Sequence, residues 1–439
     1  MFDRKRILAL FWPVLLEQTA ATLVGIISTM MVSGVSEAAV AGVGMVGAVN
    51  LLVMNAFTAV STGVTVVVAQ CIGSARYKDA SASAAQSLVV VTYISLGLTA
   101  LMLAFDWAIL GFLFGGAEED VLQAARTYFF FSSVTLPPLA LFSTEAGILR
   151  ASGDTKSPML GSLISNGSLF LVAFPCIHWL GLGVTGAGLG LAASRVAPCV
   201  FLSLLLRRGR GGLLLPRLSP KLDGKLLWPV LRVALPAGVD ATLFNGGKLI
   251  VQIFMAGMGT AVLAANSILN SLSALFVLPG SAIQILIITI VGQSFGAGQH
   301  KKARRETFAY MLAACVACLI PCLICIPLIS PLYGLFGATA ETAAAGFAPT
   351  LLYLVTAPLL WAPAFVLPSA LRAADSVTYT MWTSIVSMFL LRVAGSWFFG
   401  VWLDWGLYGI WFSMVLDWAG RAVFFIPRAG CLLRRNPEG

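Results

Sequence analysis

Residues 68–73 read VAQCIG, and residues 291–296, which lie 223 positions later, read VGQSFG. Pro13 and Pro236 are separated by the same interval, and each lies early in a long apolar segment. Two further pairs keep this interval to within one residue: Gly186 with Gly409, and LRASGD at 149–154 with LRAAD at 371–375. Because matched motifs recur in the same order over most of the chain, we predict two related halves.

The composition indicates that these halves lie in a membrane. Of the 439 residues, 59% are hydrophobic and 10% are charged, whereas about 25% are charged in a typical soluble domain. Apolar runs recur that are long enough to cross a hydrocarbon layer of about 30 Å as helices, which satisfy their own backbone hydrogen bonds. We therefore predict an all-α integral membrane protein with twelve transmembrane helices in two pseudo-symmetric six-helix bundles. The predicted spans lie near 7–34, 45–72, 86–113, 122–149, 159–181, 184–206, 230–257, 263–292, 306–332, 345–371, 378–402 and 406–427.

The spans divide the chain into an N-terminal bundle over 1–206, a linker over 207–228 and a C-terminal bundle over 229–439. An even number of helices in each half gives both halves the same orientation, which makes the repeat a parallel one. Most of the 27 lysines and arginines fall in the tails, the linker and the loops after helices 2, 4, 8 and 10. Positive loops face the cytoplasm. We expect a multi-pass protein of the bacterial inner membrane (the plasma membrane) with both termini and the linker in the cytoplasm.

Several function classes find little support in the chain. The net charge of +9 has no basic domain with interleaved aromatic residues, so we predict no nucleic-acid partner. We find no nucleophile–base pair, phosphate-binding loop or Walker A sequence, so we predict neither an enzyme nor an ATP-driven pump. Cys315, Cys318, Cys322 and Cys325 lie within one narrow face of an apolar helix. We interpret them as packing residues and predict no metal site, no disulfide and no cofactor.

Several segments resemble the multidrug and toxic compound extrusion (MATE) family of antiporters, which belongs to the MOP flippase superfamily. They are the proline early in helix 1, VAQCIG, GILRASGDTKSP at 147–158, GTAVLAANSI at 259–268 and VGQSFGAG at 291–298. The resemblance covers nearly the whole chain and indicates a divergent member of the bacterial type. It implies two six-helix bundles arranged as a V around a central cleft. It also implies export of organic, often cationic, compounds driven by entry of protons or sodium ions.

The chain departs from the family at two positions where other members carry carboxylates. Ser28 stands where many bacterial members have an aspartate in helix 1, and Phe244 stands where many others have a glutamate in helix 7. The resemblance therefore leaves the substrate open, and leaves open whether H⁺ or Na⁺ is the coupling ion.

Three charged residues inside predicted membrane helices are our candidates for ion coupling or substrate binding. Glu17 follows Pro13 by four residues and Asp240 follows Pro236 by four, so the two carboxylates are equivalent in the repeat. Lys248 lies two turns beyond Asp240. A charge inside a membrane helix is costly and is usually functional. Two alternatives stay open: Asp240 and Lys248 form a structural ion pair, or Glu17 is satisfied by the basic amino-terminal tail.

Polar and aromatic residues on neighbouring helix faces are candidates for lining a substrate cleft. They are Gln18, Ser28, Phe244, Asn245, Gln252, Asn266 and Asn270, of which the last two fit an interhelical hydrogen bond equally well. We predict structural or gating pairs at the cytoplasmic helix ends, Arg150 with Asp154 and Arg372 with Asp375. A structural network is predicted from Arg392, Asp417 and Arg421.

Together these features favour a secondary active transporter that exports organic compounds, cationic drug-like ones among them, by alternating access. A flippase or exporter for a lipid-linked or amphipathic metabolite is the alternative. A passive pore is less favoured because isolated carboxylates do not form a continuous polar lining. The expected partners are membrane lipid and a small organic substrate, and the protein is expected to be a monomer.

Overall fold

The computed structural model describes residues 9–21, 37–114, 118–213, 216 and 222–432, and these residues form helices and no strand. The first half begins with α1 over 9–21. It continues with α2 (Glu37–Gly73), α3 (Tyr77–Ala104), α4 (Asp106–Phe114), α5 (Glu119–Val134), α6 (Leu136–Ala151), α7 (Lys156–His178) and α8 (Gly183–Arg207). A short 3₁₀ turn at Arg210–Gly212 follows α8.

In the second half the span equivalent to α2 is broken in two, and the span equivalent to α5 and α6 is one continuous helix. The second half contains α9 (Gly224–Ala256), α10 (Thr260–Phe276), α11 (Leu278–Gly296), α12 (His300–Cys325), α13 (Ile329–Leu335), α14 (Ala340–Ala373), α15 (Val377–Ser387) and α16 (Gly406–Leu432). A 3₁₀ turn at Ile326–Leu328 joins α12 to α13. Between α15 and α16, Met388–Val393 and Ser396–Trp402 are π-helical.

Ten helices in the described part of the chain are long and apolar enough to cross a membrane. Together with α1 and the pair α5–α6, these helices are consistent with the twelve predicted crossings. Helices α5 and α6 are separate because Pro137 and Pro138 follow Thr135 and cannot donate backbone hydrogen bonds to the preceding turn. The predicted fold class, an all-α membrane protein with two similar halves, is confirmed.

The repeat extends to unusual backbone conformations. Non-glycine residues rarely adopt positive φ, yet three positions with positive φ recur at the 223-residue interval. The pairs are Ala75 (58°) with Gly298 (72°), Gly181 (63°) with Asp404 (55°), and Gly183 (51°) with Gly406 (57°). Equivalent helix ends in the two halves therefore share their turn geometry, although the residue types differ in two of the three pairs.

Two equivalent glycines permit a close approach of the last two spans in each half. A Cβ atom on Gly186 would lie 3.0 Å from the backbone nitrogen of Ile177, and one on Gly409 would lie 2.8 Å from that of Gly400. Both distances are too short for a side chain to be accommodated unless the backbone moves. The glycine interval seen in the sequence is thus explained by backbone packing between the last two spans of each half.

The chain divides into two compact units, Met1–Gly238 and Val239–Gly439. The division falls inside α9, so the first half of this helix packs with the first unit. Part of the first unit's core surrounds Val64 and Leu202, and part of the second unit's core surrounds Leu371 and Phe425. The predicted boundaries at 206 and 229 stay a prediction, and residues 214–215 and 217–221 of the predicted linker lie outside the described residues.

Candidate functional site

The first unit contains a partly buried ion pair between α1 and α6. Arg150 Nη2 donates to Glu17 Oε1 at 2.5 Å, and the two side chains are 20% and 12% exposed. Arg150 lies in the last turn of α6. A charge-assisted hydrogen bond of this length is strong, particularly where little water competes. It ties the end of α6 to the middle of the described part of the first helix. Gln18, the next residue, is half-buried.

The second unit contains the equivalent pair. Arg372 Nη2 donates to Asp240 Oδ2 at 2.6 Å, and the side chains are 19% and 10% exposed. Arg372 lies in the last turn of α14, and Asp240 lies on α9. Two equivalent carboxylates thus hold two equivalent arginines, one pair in each unit. The open alternative of an Asp240–Lys248 ion pair is not what the structure shows.

The predicted pairing of these arginines with the aspartates that follow them is corrected by the structure. Side chains on a helix tilt towards its N-terminus, so Arg150 reaches back along α6 and pairs with Glu17. Asp154 lies beyond the helix end, where its Oδ1 accepts the backbone N–H groups of Lys156 and Ser157, both at 3.1 Å. Its ion pair is with Arg210, at 3.2 Å.

In the second unit, the second residue after α14 has a related role in the turn. Asp375 has a φ of 62°, in the left-handed region, and its backbone N–H bonds to the carbonyl of Arg372. The residue therefore ends the helix, while the Arg372 side chain extends back to Asp240.

A cavity of about 590 Å³ lies wholly within the second unit. Five residues predicted from the sequence line it: Phe244, Lys248, Gln252, Asn266 and Asn270. Asn266 Oδ1 accepts from Trp411 Nε1 at 3.1 Å, and Asn270 donates to the backbone carbonyl of Asn266 at 2.9 Å. Asn266 thus combines the two predicted roles, because it both lines the cavity and bonds a neighbouring helix.

Asn245 and Ser28 are two other residues predicted to line a cleft. Asn245 Nδ2 donates to the backbone carbonyl of Ala241 at 2.8 Å, and this residue is absent from the cavity wall. Ser28 lies outside the described residues. Gly247, two residues after Asn245, packs against Met388. A Cβ atom on this glycine would lie 2.9 Å from the Met388 Cγ atom. The Asn-Gly-Gly step therefore allows α9 to approach the π-helical segment closely.

The aromatic wall of this cavity was not predicted from the sequence. Its members come from α14 and α16, and they are Tyr353, Trp361, Phe365, Trp411 and Trp418. Aromatic residues are abundant throughout the chain, so their types carry no signal of their position. Only the packing of helices that are distant in the sequence brings them to one surface.

Three cationic side chains surround the ring of Phe244. The Lys248 Nζ atom lies 4.8 Å from the ring centroid, and the Cζ atoms of Arg421 and Arg392 lie 5.0 and 5.7 Å from it. These distances are within the range of cation–π attraction. Lys248 makes no hydrogen bond or ion pair with the rest of the described chain. Phe244 therefore contacts these cations through its ring and supplies no negative charge to them.

Asp417 is the carboxylate that contacts two of these cations, and it is fully buried. It accepts a hydrogen bond from Arg421 Nε at 2.9 Å and one from Ser387 Oγ at 2.5 Å. Its other oxygen lies 3.9 Å from Arg392 Nη1. The network predicted from Arg392, Asp417 and Arg421 is present, with Ser387 as an additional donor.

The first unit contains two buried charged residues that the sequence analysis did not select. Glu145 on α6 is 3% exposed, accepts a hydrogen bond from Ser203 Oγ, and has no partner for Oε2 among the described residues. Arg195 is 6% exposed and donates to the Ser132 carbonyl at 2.8 Å. Glu145 lies inside the predicted span 122–149, so the rule that selected Glu17 would also have selected it.

No group of three or more His, Cys, Asp or Glu side chains is arranged to hold a metal ion within the described ranges. Cys318 and Cys322 are buried on α12. Cys318 packs close to Gly280 and Trp361, where a Cβ on the glycine would meet both side chains. These cysteines contribute to helix packing.

Comparison with known proteins gives consistent results over the length of the chain. The MatE family model matches it at residues 13–174 and 236–398, so the two matches begin at Pro13 and Pro236. The uncharacterized transporter YisQ of Bacillus subtilis is 25% identical over 93% of this chain and 90% of its own length. The probable multidrug resistance protein NorM of Bacillus licheniformis is also 25% identical, over 95% and 93%.

A solved structure has the same fold. It is the outward-facing conformation of a multidrug resistance MATE family transporter of the MOP superfamily. The TM-score is 0.90, with 19% sequence identity over 98% of this chain and 97% of the other.

Proposed function

Because this chain belongs to the MatE family of membrane transporters, we propose that it exports organic, drug-like compounds by alternating access, in exchange for protons or sodium ions. The observation that carries the proposal is the pair of equivalent carboxylates in membrane helices, Glu17 with Arg150 and Asp240 with Arg372. Intramembrane carboxylates of this kind commonly belong to ion pathways. The multidrug resistance names of several relatives support the choice of cargo.

The two ion pairs suggest how coupling operates. Each carboxylate is held by an arginine, so a proton or a sodium ion competes with that arginine for the same carboxylate oxygens. The first pair joins α1 to the end of α6, and the second joins α9 to the end of α14. Opening of a pair therefore exchanges an interhelical bond for a bound ion. Such an exchange shifts a transporter between two conformations only if the ion binds one of them more tightly.

The experiment that tests the proposed function uses purified protein in liposomes loaded with a panel of labelled organic cations, anions and zwitterions. With each compound at equal concentration inside and outside, we expect an inward proton or sodium gradient to drive net loss of at least one compound, so that its internal concentration falls below the external one. An ionophore that collapses the gradient should abolish the effect, and protein-free liposomes should not show it. Loss that only follows the compound's own gradient would indicate a passive pore. Movement of lipid probes alone would indicate a flippase.

The proposed location is the bacterial inner membrane, with a monomeric chain whose termini and 207–228 segment face the cytoplasm. We expect a cysteine replacing Lys225, an exposed residue at the start of α9, to resist an impermeant thiol reagent in intact cells. It should react after permeabilisation. A cysteine replacing Glu119, exposed at the start of α5, is the control and should react in intact cells. The reverse pattern would overturn the orientation.

A further inference from the structure

The cavity of the second unit has more cations than carboxylates in and around its wall. Lys248 and Arg392 line it, and Arg421 lies behind Phe244. Asp417 is the one carboxylate in ion-pair contact with any of these three among the residues that the structure describes. The charge of Asp240 is already matched by Arg372. The wall of the cavity is therefore positively charged.

Uncompensated charge within a membrane protein is costly, because the surrounding medium solvates it poorly. A bound anion offsets that cost, whereas a bound cation adds repulsion to it. The charge of Lys248 is the clearest case, since this side chain lines the cavity and its single specific contact in the described chain is with the Phe244 ring. The wall thus distinguishes ligands by the sign of their charge.

The remaining wall selects for a flat, apolar ligand body. Six aromatic side chains line the cavity: Phe244, Tyr353, Trp361, Phe365, Trp411 and Trp418. The polar groups beside them are amides and a hydroxyl, contributed by Gln252, Asn266, Asn270, Ser273 and Gln284. A volume of about 590 Å³ lies within the usual range of roughly 300–1,000 Å³ for small-molecule sites.

The helix that carries Arg392 has an uncommon geometry. Residues Met388–Val393 and Ser396–Trp402 are π-helical, with hydrogen bonds between residues five apart. Segments of this kind occur mostly as single turns, frequently at functional sites. Here Arg392, which lines the cavity, lies within the first of these segments, and the second begins after two intervening residues.

We propose that this cavity binds an organic anion with an aromatic or otherwise apolar body, of which an aromatic carboxylate is the simplest example. Lys248 and Arg392 hold the anionic group, and the aromatic wall holds the apolar body. This inference rests on the proposed function and gives its substrate class. It departs from the cationic cargo that the family resemblance implies.

Three probes that share one ring system test the inference. They are 1-naphthoate, 1-naphthamide and 1-naphthylmethylammonium, which are anionic, neutral and cationic. Binding is measured by isothermal titration calorimetry on the full chain in nanodiscs of zwitterionic lipid. We expect naphthoate to bind at least about tenfold more tightly than either of the others, since one charge-assisted contact corresponds to about that factor. Equal affinity for the three probes, or preference for the ammonium compound, would overturn the inference.

Variants locate the site. Lys248→Gln and Arg392→Gln should each weaken naphthoate binding about tenfold or more, and Lys248→Glu should reverse the preference in favour of the ammonium probe. Lys301→Gln is the matched control, because Lys301 is exposed in the same unit and outside the cavity. Its affinity should equal that of the wild type. Wild-type affinity in both Lys248→Gln and Arg392→Gln would contradict the assignment.

A competition experiment distinguishes whether the anion is a free organic compound or a lipid. Lysophosphatidylglycerol offers the same chemistry, an anionic group on an apolar body. If it displaces naphthoate and binds at least about tenfold more tightly, the anion site stands and its ligand comes from lipid. If naphthoate binds but no gradient moves it, the transport proposal fails alone. If gradients move organic cations while naphthoate does not bind, the anion inference fails alone.

Discussion

Glu17→Gln and Asp240→Asn are each expected to reduce gradient-driven transport to the level of protein-free liposomes. Both substitutions keep the size of the side chain and remove its ability to be ionised. Each also removes the ionic partner of an arginine, at 2.5 Å for Arg150 and at 2.6 Å for Arg372. If these carboxylates exchange a proton or sodium ion during the cycle, as we propose, the amide that replaces each one cannot take part in that exchange. The measurement is substrate loss from loaded liposomes under an imposed ion gradient, over a series of external pH values.

A loss of transport must be separated from a loss of folding. Removing one partner of a buried ion pair costs about 3–5 kcal/mol, because the other charge stays buried. The double variant Asp240→Asn/Arg372→Gln removes both charges and should recover most of that stability. It should still fail to transport. Asp106→Asn is the matched control, because it breaks a similar pair with Arg126, at 2.8 Å, in which the arginine is largely exposed. If both single variants and the double variant transport like the wild type, with unchanged pH dependence, the carboxylates are structural. If only one of the single variants loses transport, that carboxylate still takes part in coupling, but the two carboxylates do not have equivalent roles.

Asp417→Asn is expected to lower the free energy of unfolding by about 3–5 kcal/mol, which is a large fraction of the stability of a typical domain. Asp417 is fully buried and is in ion-pair contact with Arg421 and Arg392. The amide keeps a hydrogen-bond acceptor for Ser387 but leaves Arg421 and Arg392 without their ion-pair partner. The cost is measured by tryptophan fluorescence during unfolding of the purified protein in mixed micelles.

Two further variants identify the cause of this destabilisation. Asp404→Asn is the control. It removes an exposed carboxylate in the same unit, and asparagine tolerates the φ of 55° at this position. It should change the stability little. Adding Arg392→Gln to Asp417→Asn removes one of the unmatched cations, so the double variant should be more stable than Asp417→Asn alone. Wild-type stability in Asp417→Asn, or a double variant less stable than the single one, would show that charge balance does not govern this site.

Much of the architecture was predictable because it depends on composition and spacing. Apolar runs of membrane-spanning length indicate helices wherever they occur in a chain, and the 223-residue interval from Pro13 to Pro236 indicates a repeat without any knowledge of contacts. The interval also placed Glu17 and Asp240 at equivalent positions. Glu145 was equally accessible to this reasoning, since it is a carboxylate within a predicted span.

The partners of the charged residues could not be predicted in the same way. Arg150 is near Asp154 in the sequence, but its ion pair is with Glu17, which is 133 positions away. A side chain that tilts towards the start of its own helix meets whichever helix packs there, and the packing depends on the whole bundle. The same holds for Arg372 and Asp240, which are separated by 132 positions.

By itself, then, the sequence determined the membrane location, the helical fold, the two-fold repeat and the identity of the intramembrane carboxylates, because these follow from local periodicity and from the cost of placing charge in lipid. The tertiary structure alone decided that both carboxylates are held by arginines and that Lys248 lacks an anionic partner among the described residues. It also decided that aromatic residues from α14 and α16 enclose the cavity beside Lys248. These features depend on which faces of distant helices meet, and that choice is made by the packing of the complete unit.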